Sequence, residues 1–330
     1  MRNNRLLLAL AVTGALAFGV AACGGDDDSS SSGSSTEETS SSGGGGDVSG
    51  KITIDGSSTV GPFTEAAAEL FNEDNPNVQV TVGISGTGGG FEKFCAGETD
   101  ISDASREIKA DEEAPVCDKA GVKYTAVQIA NDGIAVATNK GLAVDCMTTA
   151  QLKKLWNKGS KVTKLSEIDP TFPDTKLSLY GPGTDSGTFD FFTDKINGEE
   201  GVSREDYEAS EDDNQLVTGV SGDEGGFGYF GFSYYEGAAD KLNLVGVDDG
   251  SGNCVKPSTE TIQDGSYKPL SRPLYMYPSA KAMARPEVKA FMEFVVAQAP
   301  AIAEAAKIVP LTEEQTTASK DELAKAESGS

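Results

Sequence analysis

Lys51-Ile52-Thr53-Ile54-Asp55-Gly56-Ser57-Ser58-Thr59-Val60-Gly61-Pro62 sets the architecture of this chain. Residues 51–55 are β-rich, Gly56 to Thr59 form a loop of glycine and hydroxyl residues, and a helix is predicted from Pro62 through Asn72. Pro62 suits the first turn, where its missing N–H costs nothing. The same order recurs twice. Val78-Gln79-Val80-Thr81-Val82 runs into Ser85-Gly86-Thr87-Gly88-Gly89-Gly90 and then Phe91 to Ala96. Leu177-Ser178-Leu179-Tyr180 runs into Gly183-Thr184-Asp185-Ser186-Gly187-Thr188 and then Phe189 to Ile196. Strand, loop and helix repeated in this way predict an α/β protein.

The first turn of a helix leaves backbone N–H groups unpaired, and its dipole puts partial positive charge there. Glycine allows close approach, and Ser/Thr hydroxyls add donors, so the combination suits an anion. A single such loop reads as a turn and an N-cap. Three of them, the third far from the others in sequence, point to a shared ligand. The candidate hydroxyls are Ser58 or Thr59, Thr87, Ser186 and Thr188. Arg106, in Asp100-Ile101-Ser102-Asp103-Ala104-Ser105-Arg106, is the candidate cation, because a guanidinium can donate to two oxygens of one tetrahedral anion.

Composition narrows the chemistry. Net charge is −25, from 52 acidic against 27 basic residues, which argues against nucleic acid as a partner. The chain has no histidine, so Ser186 in Thr184-Asp185-Ser186-Gly187 lacks the general base of a trypsin-like nucleophile. Neither a Walker loop nor a Gly-x-Ser-x-Gly elbow around Ser186 is present. Binding explains the hydroxyls better than catalysis; no cofactor, no metal and no enzymatic activity are expected.

Met1-Arg2-Asn3-Asn4-Arg5 and the apolar run Leu6 to Ala22 read as a secretory signal, residues 1–22. Val20-Ala21-Ala22-Cys23 matches a bacterial lipobox, which would make Cys23 the acylated mature N-terminus. Residues 23–49, almost purely Gly, Ser, Asp, Glu and Thr after Cys23, read as a disordered tether. Four cysteines then remain of five, an even number outside the cytosol. The expected pairs are Cys95–Cys117 and Cys146–Cys254, worth about 3 to 5 kcal/mol each by loop closure.

Together the loops resemble a family, the substrate-binding proteins of phosphate-specific (Pst-type) ABC importers. The likeness covers nearly the whole chain after the tether. It includes Asp55 to Pro62, Gly83 to Phe91, Asp100 to Arg106, Asn131-Asp132-Gly133-Ile134-Ala135-Val136, Gly181 to Phe189 and Leu270-Ser271-Arg272-Pro273-Leu274. The resemblance implies a two-lobed periplasmic-binding-protein fold (type II, Venus-flytrap), with a mixed sheet in each lobe. Lobe I is expected over 50–133 and 268–315, lobe II over 134–267, and a polar tail over 316–330. The chain should cross between lobes at Ile129 to Val136 and at Ser266 to Tyr277, with closure on ligand.

The resemblance also implies a ligand set. Ser58, Thr59 and the Val60 N–H come from the first loop, Ser85 and Thr87 from the second, and Ser186, the Gly187 N–H and Thr188 from the third. Ser105-Arg106 stands where the best-known branch has an aspartate, and that branch's arginine would fall near Pro182. The carboxylate that accepts a proton from phosphate is therefore open; Asp185 is the first choice and Asp103 the second, though each could instead orient Arg106. Such a group would discriminate against sulfate, which carries no proton at neutral pH. Implied partners are inorganic phosphate, the permease subunits of a phosphate ABC importer, and the outer face of the cytoplasmic membrane through the lipid anchor. The protein is expected to be a monomer. Gly225 to Phe232 reads as a buried strand and turn, and Glu287 to Ala306 as a core helix.

Overall fold

The computed structural model describes residues 48–328. The signal 1–22, the lipidation candidate Cys23 and nearly all of the tether 23–49 lie outside the described residues.

Eleven strands build the sheet. They are β1 (Gly50–Gly56), β2 (Val78–Ile84), β3 (Ile101–Ala104), β4 (Val127–Asn139), β5 (Cys146–Thr148) and β6 (Ser178–Gly181), followed by β7 (Glu208–Ala209), β8 (Gly226–Gly231), β9 (Leu242–Asp248), β10 (Cys254–Val255) and β11 (Ser271–Pro278). Neighbours run β2-β1-β3-β11-β4-β8-β6-β7, with β9 also on β4 and flanked by β5 and β10. β1 is parallel to β2 and β3, as right-handed strand–helix–strand units require. β11 enters antiparallel between β3 and β4. β4 then carries the sheet onward, pairing antiparallel with β8 and β9.

β4 explains why there are two lobes. It is buried along almost its whole length, with apolar residues on either side of the polar pair Asn131-Asp132. Ile129 and Ala130 pack with Ile52, Phe63, Phe71, Leu274 and Phe291 in a first core. Ile134 and Ala135 pack with Trp156, Phe192, Phe227, Tyr229 and Val245 in a second. The two polar residues mark the gap between cores. Leu270 and Val309 bury in the second core, although both fall within the sequence range expected of the first lobe. A helix over Pro286–Ala305 places Phe291 and Val295 in the first core, and β8 is the buried aromatic strand.

Both expected disulfides are formed. Cys95–Cys117 joins the helices Gly86–Cys95 and Ala114–Ala120 beside a small cluster with Phe91, Phe94 and Tyr277. Cys146–Cys254 joins β5 to β10 across β9.

The expected polar tail 316–330 is corrected. Glu313–Ser328 is a helix. Thr312 and Gln315 cap it reciprocally: the Gln315 N–H donates to Thr312 Oγ1 at 3.1 Å and the Thr312 N–H donates to Gln315 Oε1 at 3.0 Å. Its composition is polar, but Ser319 and Leu323 share a face and are buried against the first core. The Gln315 side chain also donates to the Gln263 carbonyl at 3.0 Å and accepts from Asn131 Nδ2 at 3.0 Å. Just before the helix, Asn131 and Val309 exchange backbone hydrogen bonds. If this helix is structural, Leu323→Ala should cost roughly 2 to 5 kcal/mol, as buried leucine truncations do. Urea unfolding at neutral pH measures it; a loss below 0.5 kcal/mol would return the segment to a loosely attached tail.

Candidate functional site

The C-terminal ends of β1, β2 and β3, with the loop after β6, deliver their loops to one cavity of about 520 Å³. Crevices at the carboxyl ends of strands are where α/β sheets bind ligands. Among the lining residues are Ser57, Ser58, Thr59, Ser85, Gly86, Thr87, Gly88, Ser105 and Arg106 from the first lobe. Gly187, Asp190, Phe191, Asp194, Lys195 and Glu200 line it from the second lobe, and Ser271 and Arg272 from β11.

Helix starts matter here. The second helix begins at Gly86 rather than Phe91, so the glycine-rich run is its first turn. Gly86, Thr87 and Gly88 thus present amides that have no intrahelical partner, and all three line the cavity. Gly90 permits the helix to sit this low: a Cβ there would lie 2.5 Å from the Gly56 Cα. Ser105 and Thr87 are coupled, with the Ser105 N–H donating to Thr87 Oγ1 at 3.2 Å and the two hydroxyls 3.0 Å apart. Ser85 spends its hydroxyl proton on Asp55, whose other oxygen accepts from Lys93 at 2.6 Å.

The loops meet across the lobes. A Cβ on Gly187 would come within 2.1 Å of Thr59 Oγ1 and 2.6 Å of Ser58 Oγ, so only glycine fits there. Arg106 is gripped by Glu113 through two hydrogen bonds of 2.8 Å, and it also donates to the Glu107 carbonyl at 3.1 Å. Burial works to raise the Glu113 carboxyl, but hydrogen bonds from Arg106 and the Lys109 N–H outweigh it and hold the pKa below the usual value. The Arg106 guanidinium is correspondingly pushed up, chiefly by its hydrogen bonds to Glu113.

Some of the residues expected from the sequence line this cavity, and others do not. Ser58, Thr59, Ser85, Thr87, Ser105, Arg106 and Gly187 are brought together. Val60 is not available: it is fully buried and its N–H donates to the Ser57 carbonyl at 3.2 Å. Ser186 caps its helix, accepting from the Thr188 N–H at 3.2 Å, and neither residue lines the cavity. Asp185 is exposed one position before that cap and does not line the cavity, with its N–H donating to Glu211 at 3.3 Å. Asp103 is buried beneath the first helix, where Thr64 donates to it at 2.6 Å, so it does not orient Arg106. Burial pushes its carboxyl up to about 7, with Thr64 opposing and Asp55 adding.

Asp190 is one of four carboxylates that line the cavity, with Glu107, Asp194 and Glu200. Burial pushes it up to about 6, nearby Glu200 and Glu211 add to the rise, and Arg272 opposes it. Arg272, only 11% exposed, also lines the cavity and was not among the expected site residues. It lies in a motif visible in the sequence, but its partners are distant: Nε donates to Asp132 at 3.0 Å, and Nη2 donates to Thr59 Oγ1 at 2.7 Å and to the Gly187 carbonyl at 3.1 Å. The guanidinium also lies over the Phe191 ring, 3.9 Å from its centre. Among the described residues no group of side chains is arranged to hold a metal, and no helix is long and apolar enough to cross a membrane.

The PBP superfamily domain matches residues 35–299. Protein SphX of Synechococcus elongatus is 45% identical over 269 residues, covering 81% of this chain and 79% of that protein. The phosphate-binding protein PstS of Staphylococcus saprophyticus is 42% identical over 276 residues, covering 83% of this chain and 84% of its own length. A solved structure of a possible phosphate binding protein from Planctomyces limnophilus superposes with a TM-score of 0.80 at 42% identity, covering 84% of this chain and 99% of that one.

Asp190 gives a pH test independent of any ligand. Its folded pKa is raised above the unfolded value of about 3.9, so its contribution favours the folded state at low pH and is lost as pH rises through about 6. Asp190→Asn should therefore raise the thermal midpoint at pH 7.5 and change it little at pH 4. A uniform shift at both pH values would contradict this.

Proposed function

From its place among the PstS-type phosphate-binding proteins of the periplasmic-binding-protein superfamily, to which this chain belongs, we propose that it captures inorganic phosphate in the cleft between its lobes and delivers it to an ABC importer. The protein is a binding protein and not an enzyme. The observation that carries the reading is the convergence on one cavity of the amides of Gly86, Thr87 and Gly88, the hydroxyls of Ser58, Thr59, Thr87 and Ser105, and the Arg106 guanidinium. Converging donors suit an oxyanion, and fixed dipoles in a sheltered cleft hold it without reorganising.

Asp190 supplies selectivity in this reading. A carboxylate on the cavity wall accepts the proton that phosphate carries at neutral pH, whereas sulfate would present it with lone pairs only. This replaces Asp185 and Asp103, which lie outside the cavity.

The export and anchoring readings complete the proposal. Signal residues 1–22, acylation of Cys23 and a polar tether to residue 49 would hold a monomeric binding protein at the outer face of the cytoplasmic membrane. What supports them is the lipobox Val20-Ala21-Ala22-Cys23 and the Gly/Ser/acidic tract after it.

Isothermal titration of the full chain tests the function. Phosphate should bind and sulfate should not compete at equal concentration. Arg106→Ala should weaken phosphate binding by about 2 to 5 kcal/mol, the usual cost of removing one partner from a desolvated charge contact. Asp190→Asn should narrow the preference for phosphate over sulfate by at least tenfold. Equal affinity of the wild-type chain for the two anions would overturn the phosphate assignment.

A further inference from the structure

Arg272 stands where both crossing strands and both lobes meet. It faces Asp132 directly across the antiparallel β11–β4 pair, and its Nε is bound to that carboxylate at 3.0 Å. Its Nη2 reaches Thr59 Oγ1 of the first lobe at 2.7 Å and the Gly187 carbonyl of the second at 3.1 Å. Phe191 of the second lobe supports its flat face. The guanidinium is fixed on several sides before any ligand arrives.

We infer that Arg272 is a positioning residue whose task is to make the Thr59 hydroxyl a donor into the cleft. A guanidinium has only donors, so its bond to Thr59 must be accepted by the hydroxyl oxygen. With that lone pair engaged by a cation, the Thr59 proton is turned away from Arg272. Among the described residues no acceptor takes it, and Thr59 lines the cavity. A hydroxyl left to itself can donate or accept by rotation, and so serves ligands of either kind. With one of its two lone pairs taken by Arg272, the Thr59 hydroxyl is biased toward donating to whatever enters, which suits an anion. The same nitrogen holds the Gly187 carbonyl, which draws the third loop against the first at the point where Gly187 touches Ser58 and Thr59.

This inference rests on the phosphate reading, and its test separates the two. Phosphate binding is measured by titration calorimetry on four full chains: wild type, Thr59→Val, Arg272→Lys and the double variant. Lysine keeps a positive charge beside Asp132 but cannot donate in three fixed directions. Each single variant should lose on the order of tenfold in affinity, as expected for one hydrogen bond to a charged group. Arg272→Lys should add less than about twofold once Thr59 is valine, because coupled residues do not add. In a Thr59→Ser background, which retains the hydroxyl, the tenfold loss should return. An equal loss from Arg272→Lys with and without the hydroxyl, whether through direct ligand contact or a disturbed fold, would refute the inference. Wild-type affinity in Arg272→Lys would refute it too. If the wild-type chain binds no phosphate, the functional reading fails and this inference falls with it.

Discussion

A chain of net charge −25 repels anions at a distance, so whatever admits one must act within a few ångströms. The cleft meets this constraint with short-range donors held in fixed directions. First-turn amides of the helix Gly86–Cys95 cannot turn away, because helix geometry sets them. Arg106 and Arg272 are each pinned by a carboxylate, Glu113 and Asp132. Pairing lowers the net positive field of each guanidinium, but it fixes the directions of the N–H groups that remain; those of Arg272 Nη2 go to Thr59 and the Gly187 carbonyl. Direction replaces bulk charge as the means of attraction.

Local geometry accounts for what was legible in the sequence. Strand, Gly/Ser/Thr loop and helix are decided by neighbours in the chain, so Ser58 or Thr59 and Thr87 could be assigned to one site from pattern, while Ser85 and Gly187 followed from the family resemblance. Side-chain direction at a helix start was harder. Ser186 and Thr188 turn back on their own helix in a cap, and Asp185 precedes that cap on the solvent side. Asp190, one turn further along, lines the cavity, as do Phe191 and Asp194 after it. No local signal marks Asp190, because its environment is made by burial, by Glu200 ten residues on, and by Glu211 and Arg272, which lie farther off in sequence.

Arg272 illustrates the same limit. Ser271-Arg272-Pro273 stood out as a motif, yet its meaning depends on Thr59, 213 residues away, and on a loop in the other lobe. The C-terminal helix was misread for a different reason. Its mean composition is polar, and only a narrow stripe through Ser319 and Leu323 is buried. The Thr312–Gln315 capping pair was the available clue. The cysteines paired as expected, each bridge staying on one side of the polar centre of β4, so neither bridge spans the crossing strands.

Gln315 gives the molecule a brace of an unusual kind. Its amide grips Asn131 in the middle of one crossing strand and the Gln263 carbonyl ahead of the other. Carboxamides swap donors and acceptors through small torsional adjustments, whereas interlocked methyl groups must climb over one another to slide. The junction between the crossing strands is thus held by polar groups that tolerate angular adjustment rather than by interlocked side chains.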